Sequence, residues 1–463
     1  MTLIRRLAPL GLLILGALFS ACSNSATTLT TTEPAADADT LVIWWERGYY
    51  AQEDEAIEAV VNAWEQETGN SVEIKFLDQD TVLKETENAL KSGRMPDIVH
   101  SLEAEHTLIP AWAWEGELAD VSKVIDPLRD RFNPTAIQSV QYYNSTAQQR
   151  IPHAIPLKQQ TIHIHYWRDL LAEAGLDEAD IPTEWDAFWD FWKQAQDNLR
   201  DQGKSDVYGL GLAMSKEASD TYATFHQVLE AYDVELLDAD GNLQVDDPDT
   251  REKIAAALDW YSRFYTDGYV PEVATEWTDS GNNGVFLNRE LLMVVNPTLS
   301  IPGSQREDDE DIYFNQIATI EFPNEPDGES PTYLVNTNQI LIFEEAPNKA
   351  LAEDFLSYLI QPENLAPYLE GSLGRFFPVM AELTETPFWN DATDPHISTG
   401  TRVFTERSTR PGYHTLNVAY SEVDINNVWG QAIESIVLDG VSPTAAADQA
   451  IAEIQTIFEE WQQ

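Results

Sequence analysis

A cluster of aromatic and charged side chains follows the first apolar run of the chain. The run ends at Trp44 and Trp45 and has strand character. Aromatic rings stack on the C–H faces of a polyhydroxylated molecule, and carboxylates accept hydrogen bonds from its hydroxyl groups. Because side chains alternate along a strand, the two tryptophans point to opposite faces, and one of them belongs to the core. We keep Trp44 as a candidate and predict that a ligand contacts at least two of Trp45, Glu46, Tyr49 and Tyr50.

Three later residues have side chains suited to the same task. Trp277 lies in a loop among acidic and hydroxyl residues, where it either stacks on a ligand or packs on the protein surface. Arg375 follows a loop that contains glycines, and its guanidinium group can bridge two hydroxyls. The alternative for Arg375 is an ion pair within a very acidic protein. Tyr413 follows Pro411-Gly412 and is a further candidate.

The elements that carry these residues alternate between helix and strand. Helical spacing of apolar residues over 53–67 is followed by strand-like alternation over 72–76. A strand–helix–strand opening forms a parallel sheet with helices on its faces. A periodic helix over 250–267 and a buried strand over 291–295 continue the pattern. Because the body of about 420 residues exceeds what one core organises, we expect an α/β protein with two domains.

The N-terminal segment has the pattern of a secretory signal. Two arginines precede an apolar run over 7–19, and small residues precede Cys22. The run is too short to cross a bilayer of roughly 30 Å. We expect a signal peptide over 1–21, lipidation of Cys22 and a flexible tether over 22–37; the alternative is a plain signal peptide with an incidental cysteine. Cys22 is the only cysteine, so a lipidated protein contains no disulfide and no thiolate nucleophile.

The composition is strongly acidic, with 27 basic against 79 acidic residues and a formal net charge of −52. A surface this negative repels nucleic acid, and salt relieves its self-repulsion. We therefore expect no nucleic-acid partner, and we expect a saline habitat. His163 and His165 alternate on a predicted strand without a recognisable third metal ligand, which favours a packed, hydrogen-bonded pair. Neither a metal nor another cofactor is expected.

Several segments spread along the chain form an ordered set of motifs. They are AVVNAWEQETGNSVEI, LKSGRMPDIV, AIPLKQQTIHIHYWRDLLAEAGL, IPTEWDAFWDFWKQA and APNKALAEDFLSYLIQPEN. This set resembles the family 1 bacterial extracellular solute-binding proteins, the group that includes maltose-binding protein. The resemblance runs from Leu41 to about Trp461. The chain departs from the family at Trp167, at Asn288-Arg289 and at Glu290, where asparagine, Gly-Lys and a small residue are usual.

The resemblance implies a periplasmic-binding-protein-like fold, in which two α/β lobes joined by a hinge hold a ligand in the cleft between them. The first lobe would comprise residues 38–158 and 320–361. The second would comprise residues 159–319 and 362–463. General rules point to the same place, because open α/β sheets bind ligands beyond the carboxyl ends of their strands and clefts between domains are favoured sites.

The same resemblance assigns ligand-binding positions to three residues. Gln160 and Tyr166 would lie at the first crossing between the lobes, with a hinge hydrogen bond as the alternative for Gln160. Asn296 follows the predicted strand over 291–295, where family members place cleft residues.

The function implied is that of an extracytoplasmic solute-binding subunit of an ABC importer. Such a subunit binds a neutral sugar or sugar-like polyol between its lobes and delivers it to a membrane permease. The protein would be a monomer without enzymatic activity, anchored in the periplasm or at the cell surface through lipidated Cys22. An exported glycosidase is the alternative, because 79 acidic residues leave room for a pair of catalytic carboxylates. A structural or adhesive lipoprotein is a third hypothesis.

Overall fold

The computed structural model describes residues 40–461, apart from the side chain of Asp80. The predicted signal peptide, Cys22 and the tether lie outside the described residues. None of the helices in this range is both long and apolar enough to cross a membrane.

Thirteen strands in the described range form two main sheets and a hairpin. In chain order the strands are β1 (Thr40–Glu46), β2 (Ser71–Leu77), β3 (Ile98–Ser101), β4 (Gln141–Asn144), β5 (Gln149–Pro152), β6 (Ile155–Gln160), β7 (His163–Trp167), β8 (Tyr208–Gly211), β9 (Leu291–Asn296), β10 (Ile317–Ile320), β11 (Tyr333–Leu341), β12 (Phe377–Pro378) and β13 (Thr409–Pro411). The first sheet has the order β12-β6-β11-β3-β1-β2, with β13 paired to β11. The second sheet has the order β10-β7-β9-β8, and β4 pairs with β5.

The α-helices of the described range cover the two sheets. They are α1 (Ala51–Thr68), α2 (Gln79–Ser92), α3 (Leu108–Glu115), α4 (Ser122–Ile125), α5 (Pro134–Ser139), α6 (Arg168–Glu173), α7 (Trp185–Asp201), α8 (Ser219–Ala231), α9 (Pro248–Thr266), α10 (Gly281–Leu287), α11 (Ser300–Gly303), α12 (Lys349–Leu359), α13 (Pro362–Gly371), α14 (Ile397–Glu406), α15 (Ala419–Ile425), α16 (Val428–Val437) and α17 (Pro443–Glu460).

The opening of the chain confirms the predicted strand–helix–strand unit. Strand β1 pairs in parallel with β2 and with β3, so Ile43 lies opposite Ile74 on one side and Ile98 on the other. Gly69 follows the last residue of α1 and caps the helix. Its φ of 75° is left-handed, a conformation that glycine adopts without strain. The parallel arrangement brings the carboxyl ends of three strands to one edge of the sheet.

Each main sheet has its own hydrophobic core. The first core contains Ile43 of β1 and Trp64 of α1, and the second contains Trp192 of α7 and Val294 of β9. We call the first sheet with its core the first lobe, and the second sheet with its core the second lobe. The chain is therefore an α/β protein with two packed cores, as the sequence predicted.

The C-terminal part of the chain contributes to both cores. Tyr368 of α13 and Ile397 of α14 pack in the first core, whereas Trp429 of α16 packs in the second. The resemblance to the family placed residues 362–463 as a whole in the second lobe. The limits of the lobes stay a prediction, and the packing favours a later return of the chain to the second lobe.

Candidate ligand-binding cleft

A cavity of about 440 Å³ lies between the two lobes, at the carboxyl ends of strands from both sheets. In the first lobe Tyr49, Gln79 and Glu103 line the cavity and follow the parallel strands β1, β2 and β3. In the second lobe Asn296 is the last residue of β9 and also lines it. The cavity therefore occupies the position at which open α/β sheets bind ligands.

Buried amide and hydroxyl groups form the second-lobe side of the cavity. The Asn296 side chain donates from Nδ2 to Oδ1 of Asn283 at 2.9 Å and accepts from the backbone N–H of Thr298 at 3.0 Å. The Asn283 side chain donates from Nδ2 to Oγ of Ser300 at 3.1 Å. All four residues are buried. A buried network with paired groups is rigid, so these amides have fixed orientations when a ligand arrives.

Arg375 lines the first-lobe side of the cavity and belongs to a buried group of charges. Its guanidinium group donates to Oε1 of Glu53 at 2.9 Å, while Nζ of Lys158 lies 3.7 Å from Oε2 of Glu53. The guanidinium carbon also lies 5.2 Å from the ring centroid of Tyr49. The two interpretations of Arg375 therefore coexist, because it forms an ion pair and also borders the cavity.

The charges around Glu53 change each other's pKa. Burial alone would raise the pKa of Glu53, but the charges of Arg375 and then Lys158 outweigh it and hold the pKa below its usual value. Burial lowers the pKa of Lys158 to about 8. Arg375 lies closer to Glu53 than Lys158 does, and the pKa of Arg375 is raised, so Arg375 is the stronger partner.

Four acidic residues line the cavity; Asp78 pairs with Arg47, whereas the other three, Glu103, Asp220 and Asp279, lie near one another. The Gln79 amide joins two of them, since its Nε2 donates to Oε1 of Glu103 at 2.9 Å and to Oδ2 of Asp279 at 3.2 Å. Asp220 accepts from Nδ2 of Asn282 at 2.7 Å. We refer to these three carboxylates as the acidic wall.

Burial and like charge raise pKa values in the acidic wall. Burial, followed by the charge of Asp279, raises the pKa of Glu103 to about 7. The same two causes, in the same order, raise the pKa of Asp220 well above its usual value. Close carboxylates disfavour each other's ionised form, particularly where water is excluded. This side of the cavity therefore favours protonation or a positively charged partner.

Contacts between the lobes close the cleft around the cavity. The Tyr50 hydroxyl, from the first lobe, donates to the carbonyl oxygen of Ser300 in the second at 2.9 Å. The Tyr222 hydroxyl of the second lobe hydrogen-bonds Nε2 of His106 in the first lobe. Both hydrogen bonds require the two lobes to be in contact.

Two of the predicted ligand contacts lie under the surface of the first lobe. Trp45 is 2% exposed and stacks on His100, with ring centroids 4.2 Å apart. Glu46 is buried and accepts hydrogen bonds from Oγ of Ser101 and the backbone N–H of Leu102, both at 2.8 Å. The structure brings neither residue to the cavity. The indole ring loses more contact with water in the core than it would at the rim of a cleft.

The remaining strand-end candidates occupy three different positions. Trp44 is half-buried beneath the Lys75 ammonium group, which lies 4.8 Å from the ring centroid. Tyr50 makes the contact with the second lobe described above, but it does not line the cavity. Tyr49 is 44% exposed and lines the cavity.

Three other predicted aromatic contacts belong to the second core. Tyr166 and Tyr413 are buried, and their hydroxyls donate to Oε2 of Glu178 at 2.9 Å and to the carbonyl oxygen of Val234 at 3.0 Å. Trp277 is also buried in this core, which agrees with its packing alternative. The cavity walls do not include these side chains.

Four of the predicted binding residues line the cavity: Tyr49, Gln160, Asn296 and Arg375. The residues of the acidic wall were not among those predicted from the sequence. A polar residue directly after a parallel strand was a usable signal for Glu103, because β3 ends two residues earlier. Asp220 and Asp279 carry no comparable signal, since acidic residues occur throughout this chain.

A second cavity, of about 260 Å³, lies elsewhere between the lobes. Its lining includes the rings of Trp114, Tyr143 and Trp461. The Arg150 side chain borders it and donates from Nη2 to the carbonyl oxygen of Leu416 at 3.0 Å. This cavity is smaller and more aromatic than the first.

The two strand histidines are both buried in the second sheet. His165 hydrogen-bonds the Thr319 hydroxyl through Nδ1 at 2.8 Å, whereas neither ring nitrogen of His163 has a hydrogen-bond partner within residues 40–461. The expectation of a hydrogen-bonded pair therefore holds for His165 alone. Over the same residues, no group of three or more His, Cys, Asp and Glu side chains is arranged to hold a metal ion.

Residues 59–399 match the family of bacterial extracellular solute-binding proteins, and the chain belongs to that family. The resemblance seen in the sequence motifs is confirmed at this level. Because members of the family are binding proteins, the match favours a receptor over the exported glycosidase.

Individual relatives agree with the family. The chain is 22% identical over 244 residues to the putative ABC transporter periplasmic-binding protein YcjN of Escherichia coli K12. The aligned segment covers 51% of this chain and 50% of that protein. The chain thus spans about half the length of this curated relative.

Solved structures with the same fold cover nearly the whole chain. An ABC transporter solute-binding protein from Thermotoga lettingae with bound α-D-tagatose has a TM-score of 0.73 at 20% identity, covering 90% of this chain and 99% of that one. Maltose-bound MalE3 of T. maritima has a TM-score of 0.71 at 18% identity, covering 90% of this chain and all of that one. The two-lobed periplasmic-binding-protein-like fold is confirmed.

Proposed function

We propose that this protein is the extracytoplasmic solute-binding subunit of an ABC importer, which holds a small polyhydroxylated solute such as a sugar between its lobes. The observation that carries this proposal is the cavity of about 440 Å³ lined by polar groups of both lobes. Membership of the family supports it, and so do the sugars bound by the structural relatives described above.

The chemistry of the cavity suits hydroxyl groups. Gln160, Asn283 and Asn296 offer amides, and an amide presents both donors and acceptors, as a hydroxyl group does. The half-exposed ring of Tyr49 provides a face for C–H groups. Each hydroxyl buried in the cavity needs such a partner, since an unpaired buried polar group costs about 1–3 kcal/mol.

Ligand binding would stabilise the closed arrangement. A ligand that touches both lobes has contacts in the closed form that the open form lacks, and this difference in affinity shifts the equilibrium. The closed form would then dock on a membrane permease and release the solute unchanged, without any enzymatic step.

The N-terminal expectations complete the proposal. A lipid on Cys22 and the tether over 22–37 would hold a monomeric receptor in the periplasm or at the cell surface, near its permease. Stable anchoring requires more than one acyl chain, because a single chain binds a membrane only weakly. Mass spectrometry of the membrane fraction tests this part: a diacylated or triacylated Cys22 is expected, and a free thiol contradicts it.

Thermal unfolding with a panel of neutral sugars and polyols tests the ligand class. A ligand at one hundred times its dissociation constant should stabilise the protein by about 2.7 kcal/mol. The Gln160→Ala variant should lose much of this gain, because Gln160 lines the cavity. Gln66→Ala is the matched control, since Gln66 is an exposed residue of α1. Stabilisation by amino acids or metal ions alone would contradict the carbohydrate assignment, and conversion of any bound sugar would contradict a receptor role.

A further inference from the structure

The three carboxylates of the acidic wall form no ion pair with a basic side chain of the described residues. Within residues 40–461 the ion pairs do not include Glu103, Asp220 or Asp279. The hydrogen-bond donors to these carboxylates are neutral: the Gln79 amide, the Asn282 amide, and the backbone N–H and hydroxyl of Ser219. Arg375 and His106 border the same cavity, but the Arg375 guanidinium group is paired with Glu53, and Nδ1 of His106 lies 3.7 Å from Oε1 of Glu105.

Asp220 is the most informative member of the wall. It is 5% exposed and lines the cavity. Its Oδ2 accepts the Asn282 hydrogen bond at 2.7 Å, but its Oδ1 accepts none from the described residues. This oxygen is not among the fully buried atoms that lack a partner, so it stays accessible in a residue that lines the cavity, and a donor supplied there by a ligand adds to binding.

The wall is also assembled from both lobes. Glu103 follows β3 of the first lobe, whereas Asp279 precedes α10 of the second, and the Gln79 amide of the first lobe reaches both. Closing the cleft brings like charges together at a partly buried site, which opposes closure. The raised pKa values of Glu103 and Asp220 have this origin in part. A positive charge placed between the lobes would remove the repulsion and favour closure.

We infer that the natural solute carries a protonated amino group on its polyhydroxylated frame, and that the acidic wall binds this group. The inference rests on the proposed function and narrows its ligand class. An ammonium group has three donors, enough for Oδ1 of Asp220 and for oxygens of Glu103 and Asp279. The amides on the other side of the cavity remain available for hydroxyl groups. With a neutral sugar, only protonation of the carboxylates could relieve the repulsion within the wall.

Isothermal titration with matched pairs of compounds tests the inference on the wild-type protein. The probes are glucosamine with glucose, galactosamine with galactose, and glucamine with sorbitol, at pH 6.5. The amino compound of at least one pair should bind at least tenfold more tightly than its neutral partner. Neutral compounds that bind as tightly as, or more tightly than, their amino partners in every pair overturn the inference and leave the proposed function intact. Absence of binding by all six compounds counts against both.

A pair of variants tests whether the wall is responsible. Asp220→Asn should reduce the amino-over-neutral ratio of affinities by about tenfold, because it removes a charge that faces the ammonium group. Asp206→Asn removes an exposed aspartate and should leave the ratio unchanged. If Asp220→Asn does not fold, Asp279→Asn replaces it. An unchanged ratio in the wall variant contradicts the assignment of the amine to this wall.

Discussion

Replacing Glu53 with glutamine tests the buried charges that hold Arg375 at the cavity. Glu53 is 5% exposed, pairs with Arg375 at 2.9 Å, and faces Lys158 at 3.7 Å. It also accepts a hydrogen bond from the backbone N–H of Tyr49 at 3.1 Å. The substitution keeps the shape of the side chain and removes the carboxylate that is paired with both buried cations.

The expected loss of stability is large. Removing one partner of a buried ion pair costs about 3–5 kcal/mol, and we expect about 3 kcal/mol because the Arg375 side chain retains 12% exposure. The pKa of Glu53 is depressed in the folded protein, so its stabilising effect is present at pH values above the unfolded pKa. It disappears as the pH falls through the lower, folded pKa. The variant should therefore approach the wild type in acid.

Urea unfolding at pH 7 and in acid measures this effect, provided that both proteins fold at the lower pH. Glu58→Gln is the matched control, because Glu58 is an exposed residue of the same helix. It should change the free energy of unfolding by less than about 0.5 kcal/mol. A Glu53→Gln protein as stable as the wild type at pH 7 would refute the reasoning, and so would an equal loss at both pH values.

Three further predictions concern packing, charge and contact between the lobes. Trp45→Ala should cost about 3–5 kcal/mol in urea unfolding, because it empties a core position, and the half-buried Trp44→Ala should cost less; equal losses would contradict this placement. Lys158→Met should raise the free energy of unfolding at pH 7, because it removes a buried ammonium group whose pKa is lowered to about 8. This gain should shrink above pH 8, because the wild-type lysine then loses its proton. A gain that grows with pH would contradict this sign. Tyr50→Phe should weaken sugar binding about fivefold in calorimetry, because the lost hydrogen bond to Ser300 destabilises the closed form by about 1 kcal/mol. An unchanged affinity would show that this contact does not support closure.

Periodicity predicted the elements of the fold well. Helix α1 covers the predicted helix over 53–67, and β9 covers the predicted strand over 291–295. The spacing of apolar residues follows from which face of a helix or strand is buried, so a single sequence is enough to predict such segments. The point at which the chain returns to the second lobe could not be predicted in this way. Helix α13 packs on the first core through contacts with residues distant in sequence, and a local pattern does not reveal such contacts.

The site was only partly predictable, since chemistry at a strand end does not reveal which way a side chain points. Trp45 and Tyr49 are both aromatic residues near the end of β1, yet one is in the core and the other at the cavity. The resemblance to a family supplied Gln160 and Asn296, which local chemistry alone would not single out. The acidic wall escaped notice because its members come from separate loops within a chain of 79 acidic residues.

A crystal structure of the protein with the most stabilising compound of the sugar and amino-sugar panels tests the central claim most directly. The account predicts one ligand in the cavity of about 440 Å³, hydrogen-bonded to Asn296 or Gln160 and in contact with residues of both lobes. A ligand held by one lobe alone would contradict it, as would a ligand seated instead in the aromatic cavity beside Trp114 and Trp461.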